Sequence, residues 1–222
     1  MQDQNSYTSV TPPTTPPDTS SEKPEKSHSE GWRSALSTIG ILLIAPLVAV
    51  FLTAFVFQSY QVDGPSMQTT LQNNDRLVVW KLPRTWARIT GHDYIPKRGD
   101  VIVFNESNLS TFGQGESKQL IKRVLGLPGE RVSVENGVIT VYNSQHPNGF
   151  RPDEEMSYGK VITNTEPESN TTSWTLKQGQ IFVAGDNRPD SLDSRAFGPV
   201  ATSDVVGKLI ARILPLGSAQ RF

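Results

Sequence analysis

Ser34 to Val62 is a run of 29 residues without a charge, and it constrains this chain more than any other feature. Its centre, Ala35 to Phe57, is dominated by Ile, Leu, Val and Phe. As a helix, those residues rise roughly 34 Å, enough to cross a hydrocarbon core with slight tilt. Pro46 bends such a helix without disqualifying it. A cleaved signal peptide would need a shorter apolar region closed by small residues spaced A-x-A. Here the end reads Phe55-Val56-Phe57-Gln58, so the stretch is predicted to stay as an anchor over residues 32–58 in contact with a lipid bilayer. Trp32 and Tyr60 bracket it as interface residues do.

The flanks set an orientation. Lys23, Lys26 and Arg33 precede the span, and no basic residue follows until Arg76. The positive-inside bias therefore leaves the N-terminus in the cytoplasm and sends residues 59–222 to the outer side. Residues 1–31 are rich in Pro, Ser and Thr and hold no core-forming pattern, so a disordered cytoplasmic tail is expected there.

Composition closes several routes. A net charge of −1, with basic residues scattered, makes no case for a nucleic-acid partner. Cysteine is absent, which removes disulfides, thiol nucleophiles and thiolate metal sites together. With three histidines, His28, His92 and His146, there is neither an H-E-x-x-H pair nor a histidine beside a serine elbow.

Beyond the span the patterns are mostly strands. Arg76–Trp80, Asp100–Phe104, Gln180–Ala184 and Val205–Leu214 are short β-branched runs with turn residues at their edges. Arg131–Val141 alternates on both sides of Asn136-Gly137, a strong hairpin signal. No helix of convincing period appears after the span, and 143–173 reads as a polar surface insertion between core strands. The fold class is mainly β, an antiparallel sheet domain behind a single N-terminal transmembrane helix.

Within this frame Ser66, four residues past the uncharged run in Gly64-Pro65-Ser66-Met67, would stand at the membrane surface. A serine hydroxyl is a poor nucleophile until a base takes its proton, and lysine is such a base only when burial keeps it neutral. Lys122, among Leu120, Ile121, Val124 and Leu125, meets that condition. A lysine in an apolar strand more often snorkels or pairs with a carboxylate. The polar run Gly185-Asp186-Asn187-Arg188-Pro189-Asp190-Ser191-Leu192-Asp193-Ser194-Arg195 could be an ordinary loop, yet it offers more paired charge than a turn needs.

Together these segments resemble type I signal peptidase (leader peptidase), the membrane-anchored serine–lysine proteases. The resemblance runs in the family's order from Val62–Leu71 through Arg98–Phe104 and Lys122–Glu130 to Gly185–Arg195. It implies Ser66 as acylated nucleophile, Lys122 as general base, and Ser191 as the serine that hydrogen-bonds the lysine. Asp193 and Arg195 would form a supporting ion pair, with Asp186 and Arg188 nearby; Met67, Gly64 and Pro65 would border the substrate. It further implies signal-peptide-bearing preproteins as substrates, small side chains at their −1 and −3 positions, no metal or cofactor, and a monomer. The bacterial plasma membrane is the default location, with a thylakoid as the alternative. Three positions depart from the family pattern. Thr69 stands where proline is usual, Glu130 where aspartate is commoner, and Gly64 where some members carry an oxyanion-hole serine. Two rival readings are a soluble self-cleaving repressor-type protease and a catalytically silent binding module. The span opposes the first, and the presence of Ser66, Lys122 and Ser191 opposes the second.

Overall fold

The computed structural model describes residues 28–106, 118–163 and 171–222. Helix α1 (His28–Phe51) contains Pro46 and passes into a π-helical turn, Leu52–Val56. Over Ser37–Val56 it is long and apolar enough to cross a membrane. Strand β1 (Phe57–Gln61) begins at once, so the last two residues assigned to the anchor from sequence are strand.

Then follow β2 (Arg76–Trp80), α2 (Leu82–Thr90), β3 (Val101–Glu106), β4 (Lys118–Gly126), β5 (Arg131–Glu135) and β6 (Val138–Tyr142). The chain continues through α3 (Pro152–Glu155), β7 (Thr172–Thr175), β8 (Gln180–Ala184), α4 (Ser194–Phe197), β9 (Val200–Ala201), β10 (Val205–Leu214) and β11 (Gln220–Arg221). The fold is mainly β and antiparallel. The large sheet runs β1-β2-β10-β3-β4-β8-β9, with β11 on β10, and a second sheet runs β6-β5-β7. Asn136 and Gly137 both take positive φ, 51° and 77°, as a tight right-twisted hairpin turn demands.

Nonpolar residues from both sheets close the core. Ile102, Phe104, Val124, Ile181 and Val183 form one cluster; Leu125, Val132, Ile139, Val141 and Phe182 form another between the sheets. Burying each such side chain contributes about 1.5–3 kcal/mol, and strands β3, β4 and β8 supply most of them.

Two elements differ from expectation. Helix α2 exists although no helix was expected after the span; its apolar stripe is only three residues, Leu82, Trp86 and Ile89, and none of its residues is buried. The segment predicted as a polar insertion, of which 164–170 lie outside the described residues, also carries more structure in 143–163 than its composition suggests. Phe150 bridges to Val141, Pro152 is buried, and Thr163 bridges to Asn187. Single anchoring residues separated by turns leave no periodic trace in a sequence.

Candidate active site

Three pieces of chain meet at one end of the central strands. The first is the loop between β1 and β2. Its base is closed by Val62 N–H to Asp75 O at 2.9 Å and Asn74 N–H to Val62 O at 2.9 Å. Inside it, Gln68 N–H to Pro65 O and Leu71 N–H to Met67 O wind a tight turn. Met67 and Leu71 are buried, 1% and 0% exposed, in a cluster with Val62, Leu77 and Leu209. The two apolar anchors pin the turn downward and leave Ser66 half-buried on its crest. Met67 thus belongs to the core beneath the site, whereas Gly64 and Pro65 line the cleft.

Thr69 gives the turn its shape. Its φ is 74°, a left-handed value that a proline ring forbids, so the threonine permits a backbone that the proline implied by the resemblance could not adopt. Such a φ costs a β-branched residue about 1–3 kcal/mol. The Thr69 hydroxyl donates to Val161 O, tying the turn to the segment after α3.

The second piece is β4. Lys122 is 3% exposed, and its Nζ lies 2.5 Å from Ser66 Oγ. Desolvation pushes its pKa down to about 8, with Asp193 working against the shift and Arg195 with it. Next to it, Arg123 makes a bidentate ion pair with Asp186 at 2.8 and 2.6 Å. Arg123 also donates to Gly99 O at 2.8 Å and stacks 4.5 Å from the Tyr158 ring centroid. Thr70 completes this group by donating to Asp186.

The third piece follows β8. Asn187 holds the nucleophile turn directly, its N–H 3.1 Å from Ser66 O and its Nδ2 3.2 Å from Pro65 O. Gly185 makes that approach possible, since a Cβ there would lie 2.4 Å from Ser66 O and 2.2 Å from Ser191 Oγ. Ser191 donates to Asp193 Oδ2 at 2.6 Å and accepts from Gly185 N–H at 3.2 Å. Asp193 is fully buried and paired with Arg195, Nε to Oδ1 at 2.8 Å. Burial alone would raise the Asp193 pKa. Arg195, the Ser191 hydroxyl and the Gly185 N–H outweigh it and hold the carboxyl below its usual range. Arg188 pairs with Asp153 of α3 rather than with Asp186.

Ser66, Lys122, Ser191, Asp193, Arg195, Asp186, Arg188, Gly64 and Pro65 are therefore gathered within one hydrogen-bonded region or along the cleft it borders, Arg188 by donating to Gly185 O at 2.9 Å. The hydrogen bond from Ser191 to Lys122 that the resemblance implied is not formed: the Ser191 hydroxyl is turned to Asp193 and the Gly185 N–H instead. Reading the sequence passed over Arg123, Gly185, Asn187 and Asp153 as individual contributors. The first three lie inside motifs already quoted, whereas Asp153 sits in the supposed insertion. A cleft of about 460 Å³ opens beside Ser66 and Lys122, bounded by Tyr60–Pro65 on one side and Lys118–Ile121 on the other. Among the described residues no group of His, Asp and Glu side chains comes together to hold a metal ion.

Known proteins share this chain's pattern. The family model described as signal peptidase, peptidase S26, matches residues 35–214. Signal peptidase I of Bacillus caldolyticus is 34% identical over 175 residues, covering 78% of this chain and 87% of that protein. A probable signal peptidase I-1 of Synechocystis is 30% identical over 185 residues, covering 83% and 85%. Signal peptidase I of Leptolyngbya laminosa is 32% identical over 213 residues, covering 96% and 92%. The class defined by these likenesses is a hydrolase that cleaves protein. The chain belongs to the signal peptidase family, peptidase S26, whose reaction is the removal of signal peptides.

Proposed function

We propose that this chain removes N-terminal signal peptides from exported preproteins through a Ser66–Lys122 dyad and an acyl-enzyme. The observation that carries this reading is the 2.5 Å approach of Lys122 Nζ to Ser66 Oγ at a lysine only 3% exposed. A group with a pKa near 8 is neutral often enough at ordinary pH to accept a proton and acidic enough to return it.

In the reaction, neutral Lys122 Nζ takes the Ser66 proton while Oγ adds to the scissile carbonyl carbon. Collapse of the tetrahedral intermediate breaks the C–N bond, and the Lys122 ammonium gives its proton to the leaving amine. A water then adds to the ester, with Lys122 again receiving the proton and Ser66 Oγ leaving with it. The oxyanion needs amide donors. In the turn, the N–H groups of Gly64, Gln68, Thr70 and Leu71 are already engaged, the first by Asn73 Oδ1 at 3.1 Å. The Ser66 N–H is the donor we assign. Asp193, Arg195, Ser191 and Asn187 position the dyad without touching substrate, and Gly64 and Pro65 border the bound segment.

Residues Ser37–Val56 anchor the chain in the bilayer, in this reading, with the N-terminus cytoplasmic and the cleft on the outer side. Sharing a surface with the preprotein raises the effective concentration of the bond to be cut. The default membrane in this reading is the bacterial plasma membrane, with a thylakoid as the alternative, and a monomer is what the family resemblance implies. Purified full-length protein with Ser66→Ala or Lys122→Ala should leave a preprotein uncut while its circular dichroism matches the parent. Near-normal cleavage by either variant would overturn the dyad.

A further inference from the structure

Helix α2 is amphipathic the wrong way round for a domain surface. Leu82, Trp86 and Ile89, spaced i, i+4 and i+7, lie on one face. They are 38%, 65% and 73% exposed. Arg84 and Ala87 lie on the opposite side, where Arg84 Nη2 donates to Ser203 O at 3.3 Å and both residues border a cavity of about 160 Å³. A helix that turns its polar side to the protein and its apolar stripe outward has a second apolar surface to meet.

The position of α2 identifies that surface. A helix end leaves its last carbonyls without partners, and α2 supplies them to the end of the apolar span. Lys81 Nζ donates to Ala54 O at 2.8 Å, the Thr85 hydroxyl to Phe55 O at 3.3 Å, and Lys81 N–H to Val56 O at 2.8 Å. Three successive carbonyls at the close of the span are thus capped by Lys81, the N-cap residue of α2, and by Thr85 in its first turn. Its start is fixed at the depth where the span leaves the hydrocarbon. Phe55 and Phe57, 50% and 38% exposed, continue the apolar surface there, and Trp86 is a residue type that favours this boundary.

We propose that α2 lies in the outer membrane–water interface, with Leu82, Trp86 and Ile89 inserted among the lipid chains, so that the domain is held to the bilayer at two adjacent points. The second contact restricts how the domain swings on its anchor, and with it the height of the cleft above the membrane. This inference rests on the span being a membrane anchor.

Because the chain has no cysteine, depth can be read residue by residue. Leu82→Cys, Trp86→Cys, Ile89→Cys and, toward the protein side, Arg88→Cys would each carry a nitroxide in the full chain reconstituted into phosphatidylcholine–phosphatidylglycerol liposomes. Leu47→Cys serves as the label inside the span. The ratio of oxygen to nickel-chelate accessibility should be highest at Leu47 and several-fold higher at Leu82, Trp86 and Ile89 than at Arg88. Nickel-accessible labels at all three apolar positions, with Leu47 deep, would overturn the interfacial helix and leave the anchor standing. A nickel-accessible Leu47 would remove the anchor reading and this inference with it. Protection at Trp86 and Ile89 that disappears when the protein is diluted into excess lipid would assign the face to a second copy of the chain and also overturn the proposal.

Discussion

Two lysines flank Ile102 in neighbouring strands of the large sheet, Lys122 on β4 and Lys208 on β10. Both have apolar neighbours in sequence, Ile121 before the first and Leu209 after the second. Lys208 keeps 28% of its side chain exposed and sets Nζ 2.7 Å from Asp100 Oδ1. Lys122 is 3% exposed, and none of the ion pairs among the described residues includes it; its Nζ faces a hydroxyl instead. A lysine deprived of both a carboxylate partner and water, as Lys122 is, is pushed down to about 8, where it can work as a base. The difference arises from what the opposite chain segments place in front of each amine. The Asp193–Arg195 pair shows how finely this is set. Asp193 draws the Lys122 pKa up and Arg195 opposes it, so pairing the carboxylate keeps the lysine from being recharged.

The comparison breaks most visibly under a swap that keeps charge but forbids neutrality. Lys122→Arg should lower kcat/KM by about 10²–10⁴-fold or more, because a guanidinium cannot give up its proton. Lys208→Arg should cleave a preprotein at the parental rate. Equal losses at the two positions, measured on purified protein, would erase the distinction between them. Next in size is Gly185→Ala, whose Cβ would push against Ser66 O and Ser191 Oγ. A displacement of the nucleophile on the order of 1 Å should cost about 10²-fold in kcat. Parental activity in that variant would show that the close approach is not required.

The pH profile sharpens the contrast further. Only the neutral amine accepts the Ser66 proton, so kcat/KM should fall about tenfold per pH unit below a pKa of about 8 and level off above it. Removing the cation in Arg195→Met frees Asp193 to raise the Lys122 pKa, which should move the rising limb toward alkaline pH, while Arg195→Lys restores it. A limb that stays in place would detach Arg195 from the base. The smallest effect belongs to Lys208→Met. It should leave kcat unchanged and cost about 1 kcal/mol or less in stability, as expected for a partly exposed ion pair, measured by urea unfolding.

Much of the scaffold was legible because it follows from local chemistry. The short β-branched runs Arg76–Trp80 and Gln180–Ala184 reproduce β2 and β8 to the residue, and Asn136-Gly137 marks the β5–β6 turn. Helix α2 was missed because its apolar stripe, Leu82, Trp86 and Ile89, is only three residues over little more than two turns, although Pro83 in its first turn and Gly91 at its end are helix boundary signals. Arg123 and Asp186 stand 63 positions apart, and Asp153 and Arg188 stand 35 apart. No rule of spacing joins such residues, since the strands between them set where they meet.

By itself the sequence determined an apolar stretch long enough to span a bilayer, a mainly antiparallel β domain behind it, and a short set of polar residues able to supply a nucleophile and a base. Those follow from hydropathy, period-2 alternation and side-chain chemistry, which act over a few residues. Only the tertiary structure decided which lysine loses its water, which carboxylate faces which arginine, and that Gly185 and Asn187 hold the Ser66 turn against β8. Burial and distance are properties of segments brought together across the chain, and a pKa or a hydrogen bond at 2.5 Å exists only once they have met.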